Sequence, residues 1–243
     1  MAGSTLAGCD AFSLDAVSID PSSLMVDLVA HWAFDQTSGM TVPDSSGNHH
    51  DGVVTGGSWV EDGPFGDALR LPTAGDRVTV TGFPQGTASW TVSVWTRASA
   101  ADLAASTSDL APIISAETLH AGGWQINLDG RDGQQRFLAA YWVGGSVNDY
   151  VRVYCSCVEA DRWVHLTAVW DGERAMVSLY QDEQRVGQER MPSPIATGDM
   201  TLYMGSWNQL NRFFVGDLDD FAIWRRALQP AEIASLSRQP PGS

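Results

Sequence analysis

Apolar residues recur at every second position along much of the chain, in short runs separated by glycine, proline, aspartate and asparagine. A period of two is the signature of strands that turn one face to a core. In the first clear run, 28–34, Leu28, Ala30, Trp32 and Phe34 share a face. Trp90–Arg97 alternates as cleanly, with Trp90, Val92 and Val94 opposite Thr91, Ser93 and Trp95. Shorter strands are predicted at 51–55, 58–60, 68–71 and 77–80, and further ones at 112–116, 123–128, 136–142, 150–155, 163–171, 175–181, 200–204 and 213–224. Asp171-Gly172 between two apolar runs predicts a hairpin. Trp32, Trp90, Trp163 and Trp170 lie in alternating runs and are assigned to the core. Residues 98–110 are small and polar and read as an exposed loop. One short helix is predicted at 230–237, where Pro230 suits the first helical position and Glu232 the first turn. The pattern predicts an all-β fold in one domain over 27–238, with a polar leader or tether at 1–26 and a tail at 239–243.

Composition narrows the class of partner. A chain of 243 residues with 44% hydrophobic and 18% charged content has material for one large sandwich core. Its net charge is −15, and all 14 basic residues are arginine. Such a surface repels phosphate backbones, which argues against a nucleic-acid partner. The acidity either serves solubility or supplies oxygen ligands for a hard cation. No stretch approaches the roughly 20 apolar residues of a membrane-spanning helix. Leu6-Ala7-Gly8-Cys9 reads either as a bacterial lipobox, with Cys9 as a lipid anchor, or as a chance match in a small-residue tail. The basic start and the apolar stretch of about 7–15 residues that complete such a signal are not in this sequence. Cys155-Ser156-Cys157 sits at a strand end, where residues two apart face the same way. A local bridge and free thiols both remain open there.

The segments HWAFDQTSG, VPDSSGNHHDGVV, GDALRLP, SWTVSVWTR, WVHLTAVWDG and FVGDLDDFAIWRRALQPAEIASL follow one another in an order that resembles the LamG-like jelly-roll domains of the concanavalin A-like superfamily. The resemblance runs from about Leu28 to Leu236. It implies a two-sheet antiparallel jelly-roll β-sandwich, usually with one structural calcium ion. Such modules recur in secreted and surface proteins, often beside enzymes, and many are thought to bind glycans. The implied location is secreted or on a bacterial cell surface.

The chemistry-bearing residues fall into two groups. Alternation in 216–224 puts Asp219 on the face of Phe221 and Ile223. An inward carboxylate needs a partner, because an unpaired buried charge is very costly. The loop Asp44-Ser45-Ser46-Gly47-Asn48 offers the oxygens that calcium takes. The resemblance implies that this loop meets Asp219 at one edge, with Asp35 joining; the family often shows Asp-Glu where this chain has Asp35-Gln36. The expected Ca2+ ligands are therefore Asp35, Asp44, Asn48 and Asp219. The alternative is an Asx-turn loop with an arginine-paired Asp219. His49 and His50 do not make a zinc site, since adjacent histidines diverge and no third ligand has suitable spacing.

The second group is Trp207, Asn208 and Arg212, in a polar turn where an indole could stack on a sugar while the polar groups bond its hydroxyls. The alternative is a tryptophan folded over the sandwich edge. Trp59 and Trp142 are weaker candidates of the same kind. Glycoside hydrolases on this fold carry Glu-x-Asp-x-Glu on one strand, and no such run occurs here. Glu117, Glu159 and Glu173 stand alone. The expected function is a non-catalytic recognition module for a glycan or a cell-surface protein. A protein-adhesion module without a glycan site is the alternative, and an enzyme comes last.

Overall fold

The computed structural model describes residues 19–85, 88–106, 109–117, 123–143, 150–192, 198–207 and 212–242. In chain order the strands are β1 (Leu28–Trp32), β2 (Thr41–Val42), β3 (Gly52–Thr55), β4 (Ser58–Gly63), β5 (Gly66–Leu71), β6 (Arg77–Gln85), β7 (Trp90–Arg97), β8 (Leu110–Glu117), β9 (Trp124–Asp129), β10 (Arg136–Trp142), β11 (Tyr150–Cys155), β12 (Val164–Asp171), β13 (Met176–Gln181), β14 (Gln184–Arg190), β15 (Gly198–Met204), β16 (Ser206–Trp207), β17 (Arg212–Phe213) and β18 (Gly216–Trp224). Two antiparallel sheets form a sandwich, as the resemblance implies. The first runs β14-β13-β12-β7-β18-β5-β4, with β1 also on β18, and the second runs β11-β10-β9-β8-β15-β6-β3-β2. A small ribbon, β16–β17, packs on β8.

The inner faces meet over a continuous aromatic seam. Phe221, Trp32, Phe83, Trp90, Trp124 and Trp170 follow one another with ring centroids 5.5 to 6.3 Å apart. Trp90 and Trp170 are also cross-strand partners. Trp163 departs from the core assignment. It lies half-buried just before β12, with the Arg97 guanidinium 4.7 Å from its ring and its indole N–H donating to the Asp62 carbonyl. The single alternating face expected over 28–34 is also broken. A register shift between Leu28 and Ala30 sends Leu28 to a second apolar cluster, while Ala30, Trp32 and Phe34 stay in the first.

That second cluster covers the outer face of the first sheet. A 3-10 turn, Pro21–Met25, and a helix, Pro230–Leu236, close over Trp224 through Leu24, Ile233 and Leu236. The Trp224 indole donates to the Leu24 carbonyl at 2.7 Å. Leu24 is fully buried, so the packed body includes residues that the sequence assigns to the leader. Cys9 lies outside the described residues.

A further helix, Ala100–Ala105, stands in the segment read as a loop. Its start is a capping box in which Ser99 and Asp102 satisfy each other's backbone amides. Arg70 holds the Asp102 carboxylate, and its hydrogen bond lowers that group's pKa to about 2. Strand β14 went unread because it is an edge: Gln184–Arg190 is mostly polar and exposed, with no apolar alternation to betray it.

Candidate functional site

The first candidate site follows from a topological break. Strand β18 has β7 along one side. On the other side its first residues pair with β5 and its last with β1. The changeover falls at Asp219 and Asp220, where the register against β7 shifts and Asp220 takes a φ of 42°. The bulge replaces the simple alternation expected of this strand, so Leu218 and Phe221 both reach the main core. Asp219 is 1% exposed. It accepts from the backbone N–H of Asp220 at 2.8 Å and of Phe65 at 3.4 Å, and it has no arginine partner among the described residues.

The turn between β4 and β5 lies over this break. A Cβ on Gly63 would stand 2.6 Å from Asp219 Oδ2 and would also crowd the carbonyls of Gly66 and Asp67, so only glycine permits this approach. Asp35 reaches the same turn and accepts from Asp67 N–H at 3.0 Å. Burial, with the neighbouring Asp220, pushes the Asp219 pKa up to about 8, and Asp35 adds to it. Asp220 is raised too, by burial, although His31 Nε2 at 2.7 Å from Oδ1 works against that. Burial and mutual repulsion thus favour the protonated acids at this junction unless a cation joins them.

Asp44 and Asn48 bond to their own loop and to β1, and His31 links Asp44, through its backbone N–H, to Asp220, through its ring. Asp44 accepts from the backbone N–H groups of His31, Ser46 and His50 at 2.9, 2.9 and 3.0 Å. Burial opposes the charge, but these bonds hold its pKa below the ordinary carboxylate value. Asn48 Nδ2 donates to the carbonyls of Leu28 and Val29 at 3.1 and 2.9 Å. The loop is therefore stitched to β1 by its own side chains. The His50 ring packs on Phe83 rather than reaching toward His49. Among the described residues no three His, Cys, Asp or Glu side chains are arranged to hold a metal ion. A cation at the Asp35–Asp219–Asp220 junction would need backbone carbonyls to complete its shell.

The second candidate site lies on the outer face of the second sheet. Core residues Trp124, Ile126 and Leu128 on β9, and Phe137, Ala139 and Tyr141 on β10, fix which side chains face outward. Trp207, on the ribbon above, stacks against Trp142 with centroids 6.5 Å apart and planes at 19°. Trp142 meets Tyr150 at 5.9 Å. The Arg152 guanidinium sits 3.5 Å from the Tyr150 ring, and that of Arg136 sits 4.7 Å from the Tyr154 ring. At the other end Arg212 lies 4.7 Å from the Trp207 ring and pairs with Asp109 at 2.7 Å. Trp207 and Arg212 are thus brought together as expected from sequence, and Asn208 lies outside the described residues. Tyr150, Arg152 and Tyr154 were missed as candidates. Their signal was present, since Tyr150–Cys155 alternates outward Tyr, Arg, Tyr with inward Val, Val, Cys.

One buried pair resembles catalytic machinery and lacks its geometry. Ser93 Oγ lies 2.6 Å from His165 Nε2. Asp182 accepts from the His165 backbone N–H, not from the ring, and Nδ1 has no partner among the described residues. Burial lowers the His165 pKa to about 4 from an unfolded value of 6.5. The unfolded chain therefore takes up the proton first as pH falls. This contribution is whole above about pH 6.5 and is lost progressively toward about pH 4, about 2 kcal/mol of it by pH 5. Urea titrations at pH 7 and pH 5 should show that loss in the wild type and not in His165→Gln. An equal loss in both proteins would show that His165 is not the titrating group.

Cys155 and Cys157 lie within bonding distance, with Cα atoms 5.2 Å apart. No helix among the described residues is long and apolar enough to cross a membrane.

Comparison with known proteins agrees with the fold. A model of the concanavalin A-like lectin/glucanases superfamily matches residues 72–234, and the chain belongs to that superfamily. It is 27% identical over 100 residues to neuronal pentraxin-2 of Cavia porcellus, an alignment that takes in 37% of this chain and 23% of that protein. The binding domain of Paraclostridial mosquitocidal protein 1 matches with a TM-score of 0.68 at 18% identity, over 88% of this chain and 52% of that one. The ligand-binding domain of botulinum neurotoxin serotype D, in complex with N-acetylneuraminic acid, has a TM-score of 0.68 at 15% identity, over 89% of this chain and 52% of that one. Domain 4 of AbnA, a GH43 extracellular arabinanase from Geobacillus stearothermophilus, in complex with arabinotriose, has a TM-score of 0.68 at 21% identity. That comparison covers 87% of this chain and 98% of that domain. The chain thus spans about half of the toxin domains it matches and nearly all of the arabinanase domain.

Proposed function

We propose that this domain is a non-catalytic extracellular recognition module that binds carbohydrate along the row Trp207–Trp142–Tyr150. The observation that carries the reading is the row itself: three half-buried rings in series on an outer sheet face, flanked by arginines. Aromatic surfaces with a few placed polar groups are what ligand sites are made of. Two proteins of this fold were solved with saccharides bound, which supports the class of ligand without locating its site here. The cysteine pair at bonding distance suits an oxidising compartment. A glycan array read with wild type, Trp142→Ala and Trp207→Ala tests the proposal. Loss of about ten-fold or more in affinity is expected for each variant. Binding unchanged by both substitutions would overturn the site. No binding by the wild type would favour the protein-adhesion alternative.

A structural calcium ion at the Asp35–Asp219–Asp220 junction is the second part of the proposal. The residues present fit it. The donors are hard oxygens, two of the carboxylates are buried, and their charge is only partly offset by His31. Asp35 and Asp219, with the carbonyls of Gly66 and Asp67, would hold the ion, whose role would be to neutralise the junction beside the His31-bonded Asp220. Asp44 and Asn48 would act one step away, fixing the loop to β1.

A further inference from the structure

We infer that the saccharide bound along the aromatic row carries an acid group, and that Arg152 reads its charge. This rests on the carbohydrate reading above and gives it a chemical class. Arg152 is the odd member of an arginine-rich face. Arg131 and Arg136 both pair with the buried Asp129, at 2.8 and 3.2 Å, and Arg212 pairs with Asp109. Among the described residues no carboxylate lies within ion-pair distance of Arg152, in a chain with 29 acidic and only 14 basic side chains. Its buried Nε has no hydrogen-bond partner. One contact of its five donors is taken, Nη1 to the Tyr154 hydroxyl at 3.2 Å.

The group is nonetheless held in place. Stacking on Tyr150 and the bond to Tyr154 fix the plane of the guanidinium, so little rotamer freedom is left to lose when an anion arrives. A planar fork with open donors suits a carboxylate or a sulfate. Arg152 also joins the aromatic row directly, through Tyr150 to Trp142 and Trp207. Its partner across β10 is Ala140, whose small side chain leaves the sheet low at that point, and the partner of Ala140 on β9 is Gln125. Beside Gln125 on the same outward face, Asn127 is fully buried with both amide atoms unpaired among the described residues. Unpaired buried amides are costly.

The test compares oligogalacturonides with their methyl esters, which keep the sugar rings and remove the charge, by calorimetry on the wild-type protein. A wider panel of acidic oligosaccharides and their esters covers other backbones. The acid forms should bind about ten-fold tighter than the esters at about 50 mM salt, and the gap should narrow by about 500 mM. Arg152→Gln should bring the affinity for the acid form down to that for the ester, whereas Arg152→Lys should keep part of the difference. Equal affinity of the wild type for acid and ester would overturn the inference alone, and needs no variant. A preference that survives in Arg152→Gln would overturn the role of this residue. Binding of neither form anywhere on the panel would bring down the carbohydrate reading together with the inference.

Discussion

Replacing Trp90 by alanine should destabilise the domain by about 3–5 kcal/mol, as expected for emptying a large aromatic site in a packed core. Trp90 is 1% exposed and sits in the middle of the aromatic seam, touching Phe83 on one side and Trp124 on the other. It also faces Trp170 across the strand pair β7–β12. Neighbouring rings are locked by the same contacts and cannot collapse into the space. For a domain whose stability lies in the usual range of about 5–15 kcal/mol, the loss is a third or more of the total. The midpoint should fall by on the order of 10 °C. Trp90→Phe should cost far less. The Trp90 indole N–H is buried without a partner among the described residues, so phenylalanine removes an unsatisfied donor while keeping most of the apolar contact. Chemical denaturation of the two variants checks the pair. A phenylalanine variant as unstable as the alanine one would mean that the indole is bonded and that its packing is not the main term.

Strand positions were legible in the sequence because most strands have one apolar face and declare a period of two. Failures came where another rule prevailed. Gln184–Arg190 pairs at an edge mainly through its backbone, helped by a Gln188–Ser178 side-chain bond, and needs no apolar face. The helix at 100–105 is set by a capping box and by Arg70 from a distant strand, neither of which disturbs hydropathy. Trp163 looked like a core residue because it adjoins a strand, yet its ring is covered by the cation Arg97.

The candidate sites divide along the same line. Asp219 could be recognised as an inward acid, but not its turn of backbone, because a bulge at 219–220 depends on two strands meeting end to end beside β18. Asp44 carries the right atoms for a cation, yet spends them on the backbone amides of His31, Ser46 and His50, while Asn48 is tied to β1 through its Nδ2. Local sequence shows which oxygens a loop has, and only the fold shows whether backbone amides have already claimed them. The aromatic row is the converse case. Trp142, Tyr150 and Trp207 lie on three different elements, and cross-strand register alone brings them into line.

Calcium in excess should raise the midpoint of thermal unfolding by on the order of 5–10 °C over the chelated protein, since an ion at a hundred times its dissociation constant stabilises the folded state by about 2.7 kcal/mol. The argument begins with charge. Asp35, Asp219 and Asp220 crowd one junction, two of them buried, and none has an arginine partner among the described residues. Chelated protein can relieve that repulsion only by keeping a buried acid protonated, whereas a divalent cation neutralises the carboxylates directly. Asp219→Asn separates this account from general salt effects. Asparagine keeps the shape and one acceptor, for the Asp220 amide at 2.8 Å, and gives up the longer 3.4 Å bond from Phe65 while removing the acid, so the chelated variant should roughly match the chelated wild type. It should also lose most of the calcium response. Magnesium should substitute poorly, because it demands tight octahedral geometry and gives up its waters reluctantly. Asp44→Asn should weaken the loop yet leave the calcium increment largely in place, since its oxygens are engaged by His31, Ser46 and His50. Scanning calorimetry in chelator, in calcium and in magnesium reads all three proteins. Identical curves for the wild type in both buffers would remove the ion, and a full response in Asp219→Asn would move it elsewhere.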